Sequence, residues 1–305
     1  MSEKPNPPLR IDPPASWKHK RLHEAVREAL LALPLAFKTE TVIAGVRATD
    51  LFTLNAVLGA TIEEQVVDTL NSMRSVWDLE GQYKLFSFVR QSQTFPDVRL
   101  MKFGEKESEN ILLGIELKGW YLLAKEGEPS FRYMVTPAAC APQDLLVVVP
   151  WALSNVLSGS PRVFSPYIES ARFAAEYRNY HWQYLREAKS SAEILSPKAA
   201  KQYPKKADQI IDKPNADAGG NFGRYARSGL MDTYLATVSM QPICGIEAKH
   251  WIRFFKAFQD QQSEGEIDRV LDAVVKEAKD ARSKEASEQL ERIRIILDQL
   301  KGLLH

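Results

Sequence analysis

The chain has 305 residues, of which 45% are hydrophobic and 26% charged, a composition typical of a folded protein with a sizeable core. Its formal net charge of +1 at pH 7 excludes a strongly basic protein, so any contact with nucleic acid must come from a local cluster of Lys and Arg. Two cysteines, Cys140 and Cys244, are too few for a disulfide framework, and the sequence has no signal-like N-terminus and no apolar run of roughly 18 residues, so we expect a cytoplasmic protein.

The N-terminal quarter predicts an arm followed by two helices. Residues 1–16 are too rich in proline to pack as a regular element, so we expect a flexible arm there. Helices are predicted over 17–33 and 54–76, because apolar residues recur at helical spacing in both segments. The apolar stripe of the longer helix consists of Leu54, Val57, Leu58, Ile62, Val66, Leu70 and Met73.

The middle of the chain changes to the pattern of a β-sheet. Segments 82–90, 97–103 and 111–123 are rich in β-branched and aromatic residues, which predicts three strands. The polar residues 104–110 suit a hairpin connection between the last two of these strands. A fourth strand is predicted over 145–151 and, because neither side of it is polar, it should be buried on both faces.

Helices are predicted again in the second half of the chain. We expect them over 167–188 and 248–259, with an irregular stretch rich in lysine, proline and glycine over 201–229 between them. In the tail over 264–303, apolar residues at helical spacing flank a polar stretch, which predicts two helices or one long exposed helix.

Three charged residues stand where two of the predicted strands can bring them together. Glu116 and Lys118 are separated by one residue in a strand, so their side chains project from the same face. If Asp97 opens the adjoining strand of a hairpin, the three groups converge at one edge of the sheet. Two neighbouring carboxylates form a site for Mg²⁺, which stabilises charge on a scissile phosphate, and a nearby lysine can orient the attacking water. The three groups therefore suit hydrolysis of a phosphodiester.

Pro96-Asp97 and Glu116-Leu117-Lys118 resemble the two halves of the PD-(D/E)XK nuclease signature. The resemblance implies that Asp97 and Glu116 bind Mg²⁺ and that Lys118 acts on the attacking water. It also implies an α/β fold in which a restriction-endonuclease-like mixed central sheet is flanked by helices. That core would span 17–190, and 191–305 would add C-terminal helices and loops for DNA contact and possible dimerisation.

The same charged residues have a purely structural alternative. Glu116 and Lys118 could form the solvated face of an edge strand, and Asp97 could be a turn residue after proline. Two features favour the site. Both charges of the Glu-x-Lys pair interrupt the apolar run 111–123, where unpaired charges would be costly. The order of elements also fits: a long helix, a strand that opens at the aspartate, and a strand with Glu-x-Lys.

The long helix upstream of the strands offers a further carboxylate. Many nucleases of this fold place a glutamate on that helix, where it reaches the metal directly or through water. Glu64 shares a helix face with Val57, Ala60 and Val67, which we expect to lie against the sheet, so Glu64 is the candidate. Glu63 is the competing candidate, and a solvated helix face would account for either residue.

A second motif lies in the irregular stretch 201–229. Its run GGNFGRYAR is similar to segments of several restriction-enzyme-like sequences. The glycines allow a close backbone approach, and arginines three residues apart share a helix face, which suits contacts with phosphates or with guanine. The candidate DNA contacts are Asn221, Arg224, Arg227, Lys205 and Lys206. A flexible surface loop with incidental charge is the alternative.

These features favour a type II restriction endonuclease, which cleaves double-stranded DNA at a specific sequence with Mg²⁺ and, as the resemblance implies, leaves 5′-phosphate ends. Cleavage of both strands at a palindrome favours a homodimer. A cognate DNA methyltransferase would be a functional partner that protects the host without forming a complex. The alternatives are a repair or recombination nuclease that recognises DNA structure, and a non-catalytic DNA-binding or helical assembly protein. No GxxxxGK[ST] loop or GxSxG elbow is present, which argues against an ATP-driven motor and an α/β-hydrolase.

Overall fold

The chain is described by a computed structural model over residues 5–91, 94–102, 110–187, 191–224 and 229–259, with a few isolated positions between 265 and 276. These residues form a mixed α/β fold with a six-stranded sheet, which confirms the predicted α/β class. Most of the predicted tail over 264–303 and nearly all of the predicted connection over 104–110 lie outside the described residues.

The central sheet is mixed. Its strands are β1 Phe86–Arg90, β2 Val98–Lys102, β3 Ile111–Tyr121, β4 Leu145–Leu153, β5 Pro161–Val163 and β6 Tyr167–Ser170. The order is β1-β2-β3-β4-β5, with β6 also paired to β4. Strands β3 and β4 run parallel, while the β1–β2, β2–β3, β4–β5 and β4–β6 pairs are antiparallel. Two further pairs of short strands lie outside this sheet: β7 Ile194–Leu195 with β8 Lys213–Pro214, and β9 Pro242–Ile243 with β10 Ile246–Glu247.

The strand predictions hold in the core of the sheet. All nine residues of β4 are buried, as its uniformly apolar sequence predicts. It pairs with β3 along one edge and with β6 and then β5 along the other. Strands β1, β2 and β3 confirm the three strands predicted before it, although β1 begins four residues later than expected.

The α-helices that the structure describes are α1 Lys20–Leu31, α2 Leu33–Ala36, α3 Leu54–Ser72, α4 Arg74–Trp77, α5 Ala171–Tyr180, α6 Asp232–Ser239 and α7 Ala248–Gln259. Helix α3 packs against β3 and β1, and α5 packs against β4 and β6. Helices α1 and α7 confirm the predictions for 17–33 and 248–259, while the predicted helix over 54–76 is divided at Met73 into α3 and α4. None of the helices that the structure describes is long and apolar enough to cross a membrane.

Two features of the predicted helices were wrong. Residues 167–170 form β6 because they pair with 145–148 along the outer edge of β4. Helix α5 begins only at Ala171, where the Ser170 side chain accepts a hydrogen bond from the amide of Phe173. Six of the seven residues in the predicted apolar stripe of the second helix are buried, but Val57 is 69% exposed.

The part of the chain after residue 190 is joined to the sheet by a buried ion pair. Arg178 on α5 donates to Asp212 and to the carbonyl oxygens of Tyr133 and Val135. Both members of the ion pair are buried, and the ring of Phe222 lies 4.8 Å from the guanidinium carbon. Buried contacts therefore cross the boundary that the sequence suggests near residue 190.

The described part of the predicted N-terminal arm contacts strand β6 and helix α5. Arg10 Nε lies 2.8 Å from Glu169 Oε2, and its guanidinium carbon lies 5.1 Å from the centre of the Phe173 ring. This segment is thus fixed to β6 and α5 at Arg10.

Candidate active site

Asp97, Glu116 and Lys118 lie together where β2 begins and where β3 continues past the first residue of β2. Asp97 directly precedes β2, whose first residue, Val98, pairs with Ile115. Lys118 Nζ lies 2.8 Å from Asp97 Oδ2 and 2.8 Å from Glu116 Oε1. The amide of Asp97 donates to Glu116 Oε2 at 3.3 Å. The pairing of the two strands therefore brings all three charged groups to one place.

Side-chain oxygens line the edge of β3 beyond Ile115, the residue that pairs with the first residue of β2. Three alternate amides on this edge each donate to one of them: Leu117 to Asp97 Oδ2 (3.3 Å), Gly119 to Glu63 Oε1 (3.0 Å) and Tyr121 to Asn55 Oδ1 (2.9 Å). These bonds satisfy amides that β2 no longer reaches. They also fix two carboxylates, those of Asp97 and Glu63, along the edge that carries Lys118.

The helix carboxylate at this edge belongs to Glu63, and the prediction that Glu64 faces the sheet was wrong. Glu64 is exposed, and of the three residues expected to share its buried face, Val57 and Ala60 are exposed while Val67 is buried. Glu63 lies four residues after the buried Gly59, so it stands on the face that packs against β3. The apolar stripe alone did not separate the two glutamates, because they are adjacent in the sequence.

Two glycines of β3 allow neighbouring elements to approach the site closely. A Cβ on Gly114 would lie 2.1 Å from Pro96 Cγ and 2.9 Å from Asp144 Oδ1. The ring of Pro96 therefore rests on the backbone of β3, which holds the aspartate that follows the proline. At Gly119, a Cβ would lie 3.3 Å from the carbonyl oxygen of Gly59, so α3 also passes close to the strand.

Asp144 supports this arrangement from a buried position. Its carboxylate accepts hydrogen bonds from the amide of Gly114 (2.7 Å), the amide of Ala141 (2.8 Å) and the hydroxyl of Tyr203 (3.0 Å). Burial raises the pKa of Asp144 to about 6, although these hydrogen bonds oppose the rise. The sequence did not single out this residue, because two of its partners, Gly114 and Tyr203, are distant from it in the chain.

The site carries more negative than positive charge. Three carboxylates, of Asp97, Glu116 and Glu63, lie near two cations, Lys118 and Arg90, and Arg90 Nη2 is 3.7 Å from Glu63 Oε2. Burial is the main reason that the pKa values of Glu116 and Glu63 are raised, and the charge of Asp97 adds to both shifts. Burial alone would lower the pKa of Lys118, but the adjacent Glu116 and Asp97 carboxylates outweigh it and raise that pKa.

The donor set at this edge fits a small divalent cation held by two carboxylates. Among the residues that the structure describes, no group of three or more His, Cys, Asp or Glu side chains is arranged to hold a metal ion. Asp97 and Glu116 nevertheless converge on a single cationic atom, Lys118 Nζ, which marks a position that both carboxylates reach. Mg²⁺ is commonly bound by one or two carboxylates and completes its shell with water and substrate oxygens.

The predicted DNA-contact residues fall in two places. Lys205 and Lys206 are exposed in a turn that follows Pro204. Asn221 and Arg224 line a separate cavity of about 420 Å³, to which none of Asp97, Glu116 and Lys118 contributes. Arg227 lies outside the described residues.

Around the cavity, the glycine-rich run folds back on the chain. The amides of Asn221 and Phe222 donate to the carboxylate of Asp217, and Arg224 forms a β-bridge with Arg132. Gly220 and Gly223 have φ values of +58° and +84°, a backbone conformation that favours glycine. The shape of this loop therefore requires glycine at both positions.

Comparison of the chain with models of protein families, with curated proteins and with solved structures found no match. The case for function therefore comes from the sequence motif and from the geometry at the junction of β2 and β3.

Proposed function

We propose that this protein is a Mg²⁺-dependent DNA endonuclease of the PD-(D/E)XK type, with a restriction-endonuclease-like core. One observation carries the proposal: Asp97 and Glu116 form ion pairs with the same ammonium, that of Lys118, where β2 begins beside β3. A solvated edge strand, the structural alternative, would not bury Glu116, which is 8% exposed. A buried carboxylate that shares a cation with a second carboxylate suits a site that exchanges one cation for another.

Each residue of the site has a defined part in this proposal. Asp97 and Glu116 would hold Mg²⁺, which when bound supplies positive charge at the scissile phosphate and lowers the pKa of a coordinated water. The neighbouring carboxylates raise the pKa of Lys118, so its side chain is an ammonium at neutral pH. Lys118 therefore acts as a hydrogen-bond donor that orients the attacking water or a phosphate oxygen. Glu63 holds the edge of β3 in place through the amide of Gly119.

The substrate and assembly follow from the same proposal. The substrate is double-stranded DNA, cut at a specific sequence to leave 5′-phosphate ends, as in type II restriction. Lys205 and Lys206 would contact phosphates, and Asn221, Arg224 and Arg227 would contribute further DNA contacts. A homodimer would cut both strands, and a methyltransferase would protect the host DNA.

Cleavage of DNA tests the proposal. Purified protein is incubated with unmethylated phage-genome-sized DNA in Mg²⁺ or in EDTA, beside the variants Lys118→Met and Glu116→Gln. Wild-type protein should give discrete fragments only with Mg²⁺, and each variant should be slower by roughly a hundredfold or more. Lys20→Met, which changes an exposed lysine on α1, should cut like wild type. Thermal denaturation of each variant checks that loss of cleavage is not loss of fold.

Other results would redirect the assignment. Cleavage of branched but not linear duplexes would favour a repair or recombination nuclease. Binding of DNA without cleavage in any divalent ion would favour a non-catalytic DNA-binding protein. Equal cutting by wild type and Lys118→Met would mean that the reaction does not occur at this site.

A further inference from the structure

A single arginine on β2 joins the peptide before Pro96 to the turn at 203–206. Arg99 Nη2 donates to the carbonyl oxygen of Phe95 at 2.9 Å and to the carbonyl oxygen of Pro204 at 3.1 Å. Two segments more than 100 residues apart in the chain thus share one donor nitrogen. One of them leads directly into the Pro96-Asp97 motif, and the other leads into the two exposed lysines.

Tyr203 fixes the second of these segments from another side. Its hydroxyl donates to Asp144 Oδ1 at 3.0 Å and lies 3.1 Å from Gln143 Nε2, and its ring centre is 5.9 Å from the guanidinium carbon of Arg99. Asp144 Oδ1 also accepts the amide of Gly114, the glycine on which the Pro96 ring rests. Tyr203 has a φ of +48°, a backbone conformation that is costly for a non-glycine residue and that these contacts hold in place.

Two short routes of contacts therefore connect the turn at 203–206, called the lysine turn below, to Pro96. The first runs from Pro204 through Arg99 to the peptide of Phe95. The second runs from Tyr203 through Asp144 and Gly114 to the Pro96 ring. Both routes consist of buried or half-buried groups in direct contact, and both end at the peptide bond or ring of Pro96, the residue that precedes Asp97.

We propose that Arg99, Tyr203 and Asp144 form a clasp that couples contact between DNA phosphates and the turn at 203–206 to the position of Asp97. Arg99 and Tyr203 are then positioning residues: they act through Pro96 and do not touch the reacting atoms. The inference rests on the proposed nuclease function. It adds that the lysine turn contributes to the rate of the reaction as well as to the affinity for DNA.

A double-mutant cycle separates coupling from simple structural support. Steady-state cleavage as a function of DNA concentration is measured for wild type, Tyr203→Phe, the pair Lys205→Ala/Lys206→Ala, and all three changes together. Tyr203→Phe should lower kcat by roughly tenfold or more, with little change in KM, because it loosens Asp97 but leaves both lysines. The lysine pair should raise KM and lower kcat. Added to Tyr203→Phe, it should raise KM again but lower kcat no further.

Control variants and a stability measurement make this result decisive. Tyr184→Phe, which changes an exposed tyrosine, and Lys18→Ala/Lys20→Ala, which removes two exposed lysines, should match wild type in kcat. Thermal denaturation shows whether Tyr203→Phe is folded, and Arg99→Lys, which keeps one cationic donor nitrogen, should recover part of the rate lost in Arg99→Met. Effects on kcat that multiply independently, or a Tyr203→Phe variant that cuts like wild type, would overturn the clasp.

Hydrogen exchange tests the clasp without relying on cleavage. A short duplex is added in Ca²⁺, and amide exchange is followed at 95–98 and at 203–208. In wild type the duplex should slow exchange in both segments, whereas in Tyr203→Phe it should slow exchange only at 203–208. If wild type cuts no DNA, the nuclease proposal fails, and this experiment alone then decides the clasp. An unchanged exchange rate at 95–98 in wild type would overturn it.

Discussion

Replacement of Gly114 by alanine should disturb the candidate active site from behind. The added Cβ would lie 2.1 Å from Pro96 Cγ and 2.9 Å from Asp144 Oδ1, whereas carbon atoms in contact normally stay about 3.5 Å or more apart. Neither neighbour is the mobile end of a long side chain. Pro96 is a closed ring, and the Asp144 carboxylate is held by three hydrogen bonds. The start of β2, with Asp97, must therefore move away from β3 by about 1 Å.

This displacement sets the expected magnitudes. Overpacking of a buried site costs about 1–3 kcal/mol of unfolding free energy. A shift of about 1 Å in a group that positions the reaction can lower the rate by roughly a hundredfold. Gly114→Ala should therefore lose more in cleavage than its loss of stability alone would cause.

Two assays and one control test this expectation. Urea denaturation gives the free energy of unfolding, and single-turnover cleavage in Mg²⁺ gives the rate. Gly45→Ala is the control, because a Cβ there would meet nothing within 4 Å, and its stability should stay within about 1 kcal/mol of wild type. The reasoning is refuted if Gly114→Ala is as stable and as active as Gly45→Ala. A loss of stability with a wild-type rate would mean that the contact with Pro96 does not position Asp97.

Three further predictions concern other buried or half-buried charges. Glu63→Gln should lower the cleavage rate by about tenfold, whereas Glu64→Gln, which changes its exposed neighbour, should not; equal effects in the kinetic assay would contradict the choice of helix carboxylate. Arg178→Met should lower the free energy of unfolding by about 3–5 kcal/mol, because it leaves Asp212 buried without its cation, and a loss below about 1 kcal/mol in urea denaturation would contradict that burial. Burial raises the pKa of Asp144 from 3.8 to about 6, so the folded state binds this proton more tightly than the unfolded state does. The free energy of unfolding therefore falls as the pH rises through that range. Relative to Asp144→Asn, wild type should lose about 2 kcal/mol between pH 4 and pH 7, and a difference that stays flat in urea denaturation across that range would rule out the shift.

The sheet and its neighbouring helices were predictable where the sequence pattern is local. Uniform burial of β4 follows from its apolar sequence. The errors arose where a partner distant in sequence decides the structure. Residues 167–170 look helical in sequence but form β6, because the outer edge of β4 offers them a ladder of hydrogen bonds. The expected burial of Val57 failed because the position of β3 sets which face of α3 is covered.

The candidate site also has a part that the local sequence predicts and a part that it does not. The approach of Asp97, Glu116 and Lys118 follows from strand alternation and an antiparallel pair, both of which are local properties of the sequence. The choice between Glu63 and Glu64 depends on the rotation of a helix, for which the stripe of apolar residues was too coarse a guide.

The polar residues that hold the site in place could not be identified from the sequence. Asn55, Arg99 and Asp144 are each isolated polar residues, and their roles appear only when distant backbone groups are brought to them. Gly114 gave no signal either, since a glycine in a strand shows only that something approaches closely, not what approaches.

The central claim is that Asp97 and Glu116 form the metal site of a nuclease. The most direct test is the rate of DNA cleavage as Mg²⁺ is raised from zero, measured for wild type and for Asp97→Asn, with thermal denaturation to show that both are folded. Wild type should cut only when Mg²⁺ is present, and Asp97→Asn should be slower by roughly a hundredfold or more at every concentration. Cleavage by wild type in EDTA, or a response to Mg²⁺ that Asp97→Asn leaves unchanged, would contradict the claim.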